Sequence, residues 1–518
     1  MSDVNDPTAN SASRRSFLGA ATIGAGAAVL GGATAASAEV RFPAQRMLYG
    51  GGGSAAGAVN RTEVELFDCE VEGKLPDGLS GAFYRVGPDP QYPKSEQWQS
   101  DIGFDGEGHV SMFHFKDGHV DYRTKYAKTQ RWKAQHAARK SLFGMYRNPT
   151  TDDPSVAGLS RGTANTQVWY HHKKLFALKE DSPPVAMDPL TLETTDDYYL
   201  FGGGFKGLTH TAHPKNDPHT GRMVGFGYQA TGLASNDIYI YEANPDGRIA
   251  WDAMVKCPYS AMLHDFVVTE RHIAFQLFGL VTNMDNIRAG KVHYAFDSTM
   301  PAYVGVMPRG GDAKDIRWVQ GPMYFCTHLM GAWSEGDKLT FDMDGGESNQ
   351  FPFFPNMHEP FDGQKAAGRV RRFTMDLSKK NRSYEVQTLY PEVTGALARQ
   401  DDRYHTVPYK IGFLNASSRD GGGGWAMFDH SRSKASMFSL ADYSLQEMCF
   451  VPRKKGAPEG DGFLIGVANS NKERGRSDLV IADTQDLAAP PVARVKLPFR
   501  AVSQIHGFWV PEDQLPTA

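Results

Sequence analysis

The segment "DIYIYEANPDGRIAWD" (residues 237–252) contains two runs of β-branched and aromatic residues, separated by Asn-Pro-Asp-Gly. Such runs favour strands, and the turn-forming residues between them predict a β-hairpin. Segments of the same character are "HIAFQL" (272–277), "KLTFDMDGG" (338–346), "RVRRFTMDL" (369–377) and "DLVIADTQD" (478–486). The sequence therefore predicts a mainly antiparallel β protein.

The length of the chain selects among the β architectures. The chain has 518 residues with 54 glycines and 30 prolines, and its main helix candidate is residues 131–147. Roughly 480 residues of short strands exceed one sandwich or small barrel, whereas a β-propeller accommodates them by radial repetition of four-stranded blades. We predict a single β-propeller catalytic domain over residues 61–518. No clean repeat in the sequence gives the number of blades.

The bulk composition is that of a soluble globular protein, with 41% hydrophobic and 22% charged residues. A formal net charge of -4 gives no electrostatic footprint for nucleic acid. The 4 cysteines are scattered along the chain, so disulfides are not expected to hold the fold together. Beyond the N-terminal region, no apolar run approaches the length of a membrane span.

The N-terminal region has the features of an export signal. Arg14 and Arg15 precede a mild apolar run, and Ala36-Ser37-Ala38 resembles a small-residue cleavage site. We interpret residues 1–38 as a twin-arginine export signal and residues 39–60 as a flexible lead-in. This interpretation predicts a periplasmic protein.

Four of the 17 histidines lie in strand-like settings beside glycine, proline or aromatic residues: His213, His264, His328 and His506. Each one alone is an ordinary hydrogen-bonded residue, and they lie far apart in the chain. In a propeller, however, the inner strands of all blades converge on one axis, so four blades can direct four imidazoles to one point. An all-imidazole site suits Fe, Cu, Zn or Ni better than Mg or Ca.

Two neighbours of His213 are predicted to be bystanders. On an extended strand, His210 would lie on the opposite face from His213. His219 belongs to an Asp-Pro-His-Thr-Gly turn, where an exposed polar residue is expected.

The sequence resembles the carotenoid cleavage oxygenase family from about Val64 to the C-terminus. The motifs that carry this resemblance occur in the family's order: "LPDGLSGAFYRVGPDP", "FDGEGHVSMFHF", "ANTQVWYHHKKLFALKED", "TAHPKNDPHTG", "LHDFVVT", "CFVPR" and "IHGFW". The resemblance implies a seven-bladed propeller with a cap of loops and short helices over an axial site. It also implies that His213, His264, His328 and His506 hold Fe²⁺ there.

The resemblance further implies three glutamates that hold the remaining ring nitrogens of the ligands. Glu180 and Glu447 match two of the positions. The third position falls at Ala396, where a water, a backbone carbonyl or Glu392 could take the place of the missing carboxylate.

Two residues bear on the substrate. The stilbene-cleaving branch of the family carries a tyrosine and a lysine at the positions of Tyr146 and Lys179, where they grip a 4-hydroxyl group. Phe104 matches a family aromatic position and is predicted to stack on a substrate ring, as is Phe351. On an extended strand, Lys179 and Glu180 point to opposite sides, so Lys179 can face the cavity.

The leading hypothesis is an Fe²⁺-dependent oxygenase that cleaves the central double bond of a 4-hydroxystilbene with O₂. Cleavage of a phenylpropene such as isoeugenol, or of an apocarotenoid, remains open. From a different class of function, the chain could be a periplasmic propeller that binds ligands without catalysis. The expected partners are a phenolic alkene and O₂, and the oligomeric state is left open.

Overall fold

The computed structural model describes residues 60–98, 101–379, 383–417, 423–473 and 475–517. The predicted export signal, and the predicted lead-in apart from Asn60, lie outside these residues. No helix in the described ranges has both the length and the apolar character needed to span a bilayer.

The described residues form short strands that pair in antiparallel order. In chain order, the first half are β1 (Glu65–Leu66), β2 (Val71–Gly73), β3 (Gly81–Pro88), β4 (Gly108–Lys116), β5 (His119–Tyr126), β6 (Gln167–His171), β7 (Lys174–Leu178), β8 (Val185–Met187), β9 (Thr194–Asp196), β10 (Lys215–Asn216), β11 (Met223–Tyr228), β12 (Asp237–Ala243), β13 (Ile249–Lys256), β14 (Val267–Val268), β15 (His272–Leu277) and β16 (Leu280–Val281). The second half are β17 (Ala295–Phe296), β18 (Ala302–Pro308), β19 (Arg317–Gly321), β20 (Phe325–Glu335), β21 (Lys338–Gly346), β22 (Arg369–Asp376), β23 (Tyr384–Thr388), β24 (Thr394–Gln400), β25 (Ile411–Ser417), β26 (Gly423–Asp429), β27 (Lys434–Phe438), β28 (Tyr443–Pro452), β29 (Gly462–Ser470), β30 (Ser477–Asp483), β31 (Ala493–Leu497) and β32 (His506–Pro511).

These strands build seven blades of four or five strands. From the inner to the outer strand, the blades are β32-β3-β4-β5-β1, β6-β7-β8-β9, β10-β11-β12-β13, β14-β15-β18-β19, β20-β21-β22-β23, β24-β25-β26-β27 and β28-β29-β30-β31-β2. Strands β16 and β17 form a separate two-stranded ribbon. The predicted seven-bladed propeller is confirmed.

The two ends of the chain close the ring of blades. The C-terminal β32 pairs with β3, with His506 opposite Val86, and so becomes the inner strand of the first blade. The N-terminal β2 pairs with β31, with Val71 opposite Val495, and becomes the outer strand of the last blade. Each end thus covers a sheet edge that would otherwise be free, which is how a propeller limits exposed edges.

The hairpin predicted from residues 237–252 is formed by β12 and β13. Gly247 in its turn has φ +82°, a conformation that glycine adopts without the strain of a side chain. All residues of β12 and of β29 are buried, because the blades pack face to face around the axis. The other four predicted strand segments coincide with β15, β21, β22 and β30.

Helices in the described residues are few and short. The α-helices are α1 (Gln130–Ala138), α2 (Met284–Arg288) and α3 (Gly363–Ala366). The 3₁₀ turns are Glu96–Trp98, Pro149–Thr151, Pro154–Val156, Phe201–Gly203, Ala313–Asp315, Asp402–Tyr404 and Glu512–Gln514. The helix predicted over residues 131–147 is wrong beyond 138, because Arg139 takes the left-handed conformation (φ 54°) and ends α1.

The expected cap over the axis is present. Long connections between β5 and β6 and between β21 and β22 carry α1 and α3, and the connection between β15 and β18 carries α2 with the β16–β17 ribbon. The first two connections supply Tyr146 and Phe351 to a pocket that is also lined by His264. The cap therefore encloses the site that the inner strands create.

Candidate metal centre and aromatic pocket

The four histidines singled out in the sequence meet at one place. They lie in or just before the inner strands of four different blades: His213 precedes β10, His264 precedes β14, His328 lies in β20 and His506 begins β32. One ring nitrogen from each lies within 4.8 Å of the others. None of the four is more than 9% exposed.

The facing nitrogens of the four rings lie close to one another. Nε2 of His264 lies 3.1 Å from Nε2 of His213 and 3.3 Å from Nε2 of His328. The buried Nε2 of His506 has no hydrogen-bond partner in the described residues. Lone pairs directed at one point repel each other unless a cation or a proton lies among them. The donor set thus fits a transition metal that accepts imidazole ligands.

Three of the rings are oriented by buried carboxylates that contact the opposite nitrogen. The Nδ1-to-oxygen distances are 2.6 Å for His264 and Glu180, 2.9 Å for His506 and Glu447, and 2.9 Å for His328 and Asp344. A carboxylate at Nδ1 favours the tautomer with the proton on that nitrogen, so that Nε2 presents its lone pair. The centre is therefore prepared to bind a metal.

Neighbouring charges keep two of these carboxylates ionised. Burial alone would raise the pKa of Glu180, but the adjacent His264 lowers it to about 2. Burial likewise opposes ionisation of Glu447, whereas His506 and then Arg399 lower its pKa to about 2. The Arg399 guanidinium lies 3.4 Å from Glu447, and the backbone N–H of Gly507 donates to the same carboxylate oxygen at 2.8 Å.

The third carboxylate is one that the sequence did not reveal. Ala396 lies on β24 and has no carboxylate, and Glu392 is exposed. Asp344, on β21, contacts His328 instead. Asp344 comes close to His328 because of the register in which β20 pairs with β21, and the sequence pattern alone does not specify that register.

The two predicted bystanders lie outside the cluster. His210 is buried, with Nδ1 at 2.6 Å from the Thr211 carbonyl and Nε2 at 2.5 Å from the Tyr241 hydroxyl. The strand alternation used to separate it from His213 does not apply, because this segment is not a regular strand. His219 is exposed in its turn, as expected.

A pocket adjoins the histidine cluster. Its lining residues are Pro88, Phe104, Tyr146, Thr166, Glu180, Met262, His264, His328, Phe351, Phe353, Phe354, Ser503, Ile505 and His506. Phe104, Tyr146 and Phe351 were expected here, whereas Phe353 and Phe354 were missed although they stand in the same "FPFFP" run. The mainly apolar walls suit an aromatic ligand.

The aromatic walls are packed against one another. Phe104 meets Tyr146 and Phe353 edge-on, with ring centres 5.1 and 5.0 Å apart. Phe351 stacks on Phe353 at 5.2 Å, and its ring centre lies 6.1 Å from that of His264. Such edge and stacked contacts hold the rings in place.

Lys179 lies over the faces of two of these rings; contrary to the expectation that it faces the cavity, it is not among the residues that line the pocket, whereas Glu180 is. Its ammonium is 5.0 Å from the centre of the Tyr146 ring and 5.2 Å from that of Phe104. The buried Nζ has no hydrogen-bond partner in the described part of the chain, and its nearest carboxylates are Asp181 at 3.9 Å and Asp105 at 4.0 Å. Burial lowers the pKa of Lys179, although both aspartates oppose the shift.

A buried ion network fixes the segments that carry Phe104 and Tyr146. Asp105 contacts Arg131 at 3.1 Å and Lys94 at 2.7 Å. Lys94 also pairs with Asp101, which accepts the backbone N–H of Tyr146 at 2.7 Å. The network therefore ties together the segments that carry the two rings in contact with Lys179.

A second, polar cavity touches the cluster as well. Its lining residues are Gln167, Trp169, His213, Lys215, Asp265, His328, Leu329, Ala398, Arg399, Gln400, Asp402, His405, Glu447 and His506. His328 and His506 line both cavities. The histidine centre thus separates a mainly apolar pocket from a polar one.

The chain is similar in sequence to known proteins over most of its length. A family profile described as retinal pigment epithelial membrane protein matches residues 57–511. Lignostilbene-α,β-dioxygenase isozyme III of Sphingomonas paucimobilis is 42% identical over 477 residues, which cover 88% of this chain and 96% of that protein. Isoeugenol monooxygenase of Pseudomonas putida is 40% identical over 468 residues, which cover 87% of this chain and 95% of that protein.

The fold has a close counterpart among solved structures. The crystal structure of Pseudomonas brassicacearum lignostilbene dioxygenase superposes with a TM-score of 0.84 at 37% identity, covering 88% of this chain and 97% of that one. The profile match and these similarities extend over nearly the whole described chain. The profile takes its name from the retinal pigment epithelial membrane protein, which is a member of the carotenoid cleavage oxygenase family. The chain therefore belongs to the carotenoid cleavage oxygenase family.

Proposed function

We propose that this protein is an iron-dependent dioxygenase that cleaves the central double bond of 4-hydroxystilbenes. One alkene and one O₂ give two aromatic aldehydes, so that each carbon of the former double bond gains one oxygen atom. The observation that carries the proposal is a buried ammonium without a hydrogen-bond acceptor, that of Lys179, beside a mainly apolar pocket that ends at four histidines. The similarity to a protein named lignostilbene dioxygenase supports it.

The metal that suits the four-histidine centre in this function is Fe²⁺. Imidazole ligands alone are compatible with several metals, but zinc has no redox chemistry and does not activate O₂. His213, His264, His328 and His506 would hold the iron, which when bound would supply the activation of O₂. Glu180, Glu447 and Asp344 would offset its charge and keep the imidazoles oriented.

The residues of the pocket would prepare the alkene for oxidation. Flat aromatic walls, including Phe104 and Phe353, would hold the stilbene rings and exclude water. A phenol oxygen between Tyr146 and Lys179 would give the orphaned ammonium its missing acceptor. In its neutral form, Lys179 would take the phenol proton at Nζ, and the resulting ammonium would stabilise the phenolate. The phenolate passes electron density through its ring to the alkene, which then reacts more readily with an oxidant.

A second candidate is the cleavage of a phenylpropene side chain, which would use the same phenol contact. It is supported by the 40% identity to isoeugenol monooxygenase. The row of Phe351, Phe353 and Phe354 along the pocket favours a substrate with a second ring over one with a single ring. An apocarotenoid, which has no phenol, would leave Lys179 without a partner, and a propeller that only binds ligands would not turn over any of these compounds.

A substrate panel distinguishes these functions. The iron-loaded protein is incubated under air with a 4-hydroxystilbene, with isoeugenol and with an apocarotenal, and the products are identified by mass spectrometry. The proposal predicts the highest kcat/KM for the stilbene, with two aromatic aldehydes as products. Cleavage of the apocarotenal alone would contradict it, and a preference for isoeugenol would select the second candidate.

We also propose that the protein acts after export to the periplasm. The support is the pair Arg14 and Arg15 ahead of the apolar run and of Ala36-Ser37-Ala38. Replacement of both arginines by lysine should leave the protein in the cytoplasm of a host with a twin-arginine pathway. Unchanged fractionation of that variant, measured by immunoblotting, would contradict export by this route.

A further inference from the structure

Asp344 contacts both the ring of His328 and the backbone that carries it. Its side chain is fully buried on β21, the strand that pairs with the His328 strand β20. Oδ2 lies 2.9 Å from Nδ1 of His328. Oδ1 accepts the backbone N–H of His328 at 2.8 Å and both the backbone N–H and the hydroxyl of Thr327, at 3.0 and 2.7 Å.

These contacts explain how β20 directs His328 toward the axis. The pairing of β20 with β21 shifts register between Cys326 and Leu329, so Thr327 and His328 lie in a bulge. A bulge re-aims a side chain but leaves backbone N–H groups without ladder partners. Asp344 accepts both of these N–H groups and also contacts the ring, so one side chain holds the backbone and the imidazole together.

The origin of this carboxylate differs from that of the other two. The inner strands β20, β24 and β28 all have a register shift, between Cys326 and Leu329, between Ala396 and Arg399 and between Leu445 and Met448. The shift in β28 presents Glu447 to His506. The shift in β24 contains only apolar residues, and this strand offers Asp344 no more than the backbone N–H of Ala398 at 3.4 Å from Oδ2.

Two acidic residues that flank β24, Glu392 and Asp401, have no contact with His328. Glu392 is exposed before the strand. After the strand, Asp401 is held by Arg403, with 2.9 Å between Nε and Oδ1. The acceptor for His328 therefore comes from its own blade, whereas Glu447 reaches His506 from a neighbouring blade.

We infer that Asp344 is the positioning residue of the His328 ligand and provides, from β21, the carboxylate that β24 lacks at Ala396. The inference rests on the metal site of the proposed function. Asp344 fixes the proton of His328 on Nδ1 and so leaves Nε2 free to bind the metal. An amide at this position could direct either its oxygen or its N–H₂ group at Nδ1 of His328. It would therefore not favour the tautomer with the proton on Nδ1, and the metal would bind more weakly.

The test measures metal affinity without catalysis. The metal is removed from wild type and variants, Co²⁺ is titrated under anaerobic conditions, and its visible ligand-field bands report binding and geometry. Asp344→Asn should weaken the apparent affinity about 10- to 100-fold, as loss of a carboxylate behind a metal-bound histidine generally does. Asp344→Glu, which retains a carboxylate, should bind more tightly than Asp344→Asn.

The matched control is Asp342→Asn. Asp342 is a fully buried aspartate on the same strand, held by Arg372 at 2.7 and 2.8 Å and without a contact to the four histidines. This variant should lose thermal stability but keep the affinity and the Co²⁺ spectrum of wild type. All titrations are run well below the lowest Tm of the set, so that unfolding does not imitate loss of the site.

The outcomes separate this inference from the proposed function. If Asp344→Asn binds Co²⁺ as tightly as wild type, or if Asp344→Glu is no better than Asp344→Asn, the inference is wrong while the metal centre stands. A wild-type protein that binds no Co²⁺ would overturn the metal centre itself, and with it both proposals. Equal losses in Asp344→Asn and Asp342→Asn would show that general destabilisation is responsible, and this would also overturn the inference.

Discussion

The ammonium of Lys179 lies 5.0 Å from the centre of the Tyr146 ring, over its face, and has no hydrogen-bond acceptor among the described residues. A cation over an aromatic face gains only about 0.5–2 kcal/mol. Asp181 and Asp105 lie at 3.9 and 4.0 Å, beyond hydrogen-bond distance, so they do not supply the missing acceptor. Such an arrangement persists in a protein when it has a use, and an anionic substrate oxygen would satisfy it.

Lys179→Met should abolish most turnover of 4-hydroxystilbenes, by about 10²- to 10⁴-fold in kcat/KM, because the group that takes the phenol proton is lost. Bound iron should be unchanged, since Lys179 has no contact with the four histidines. The melting temperature should stay the same or rise, because the cost of burying the ammonium exceeds what Asp181 and Asp105 offset, and an apolar chain of similar length avoids that cost. A large loss of iron would contradict the role assigned to Lys179.

Tyr146→Phe should keep the shape of the pocket, because the ring contact with Phe104 at 5.1 Å does not involve the hydroxyl. Loss of one hydrogen bond to a charged oxygen generally removes about 1.5–3 kcal/mol, which corresponds to about 10- to 100-fold in kcat/KM. Iron content provides the internal control. If the variant keeps full activity, the hydroxyl of Tyr146 does not hold the phenol.

The pH dependence follows from the lowered pKa of Lys179. Below this pKa the side chain is protonated and cannot accept the phenol proton, so kcat/KM should rise with pH through a value below that of a free lysine. Lys179→Met should lack this ionisation when both proteins are assayed with the same phenol. If kcat/KM rises with pH in the same way in both proteins, the ionisation belongs to the substrate and not to Lys179.

The same pKa shift predicts how stability changes with pH. The folded protein releases the Lys179 proton more easily than the unfolded chain, so the group destabilises the fold at any pH below its folded pKa. This penalty should diminish as the pH rises through the folded pKa toward the unfolded one. When urea unfolding is measured across this pH window, the free energy of unfolding of wild type should increase relative to that of Lys179→Met. A difference in free energy of unfolding between the two proteins that does not change with pH would contradict the lowered pKa of Lys179.

His264→Ala should lose the metal, because His264 is the ring whose Nε2 lies 3.1 and 3.3 Å from two others. The parallel variant Tyr241→Phe removes a partner of the bystander His210 and should keep full metal content. Iron is measured by mass spectrometry on folded, gel-filtered protein. Equal metal in both variants would mean that these histidines are not its ligands.

The parts that the sequence predicted well depend on local pattern. The hairpin at 237–252 needs only strand-forming runs and a turn, and the four histidines stand in motifs that a family resemblance identifies. The rest depends on pairing over long distances. Asp344 reaches His328 only through a register shift, and His210, which lies outside any strand, is held by Tyr241 of β12. The predicted helix ends early at Arg139, whose left-handed conformation no periodicity reveals.

The most direct measurement compares a 4-hydroxystilbene with its 4-methoxy analogue, using protein reconstituted with one equivalent of Fe²⁺ under saturating O₂. The account predicts rapid conversion of the hydroxy compound to two aromatic aldehydes and little or no conversion of the methoxy compound, which has no proton for Lys179 to take. Equal rates for the two compounds, or no aldehyde from either one, would contradict the account.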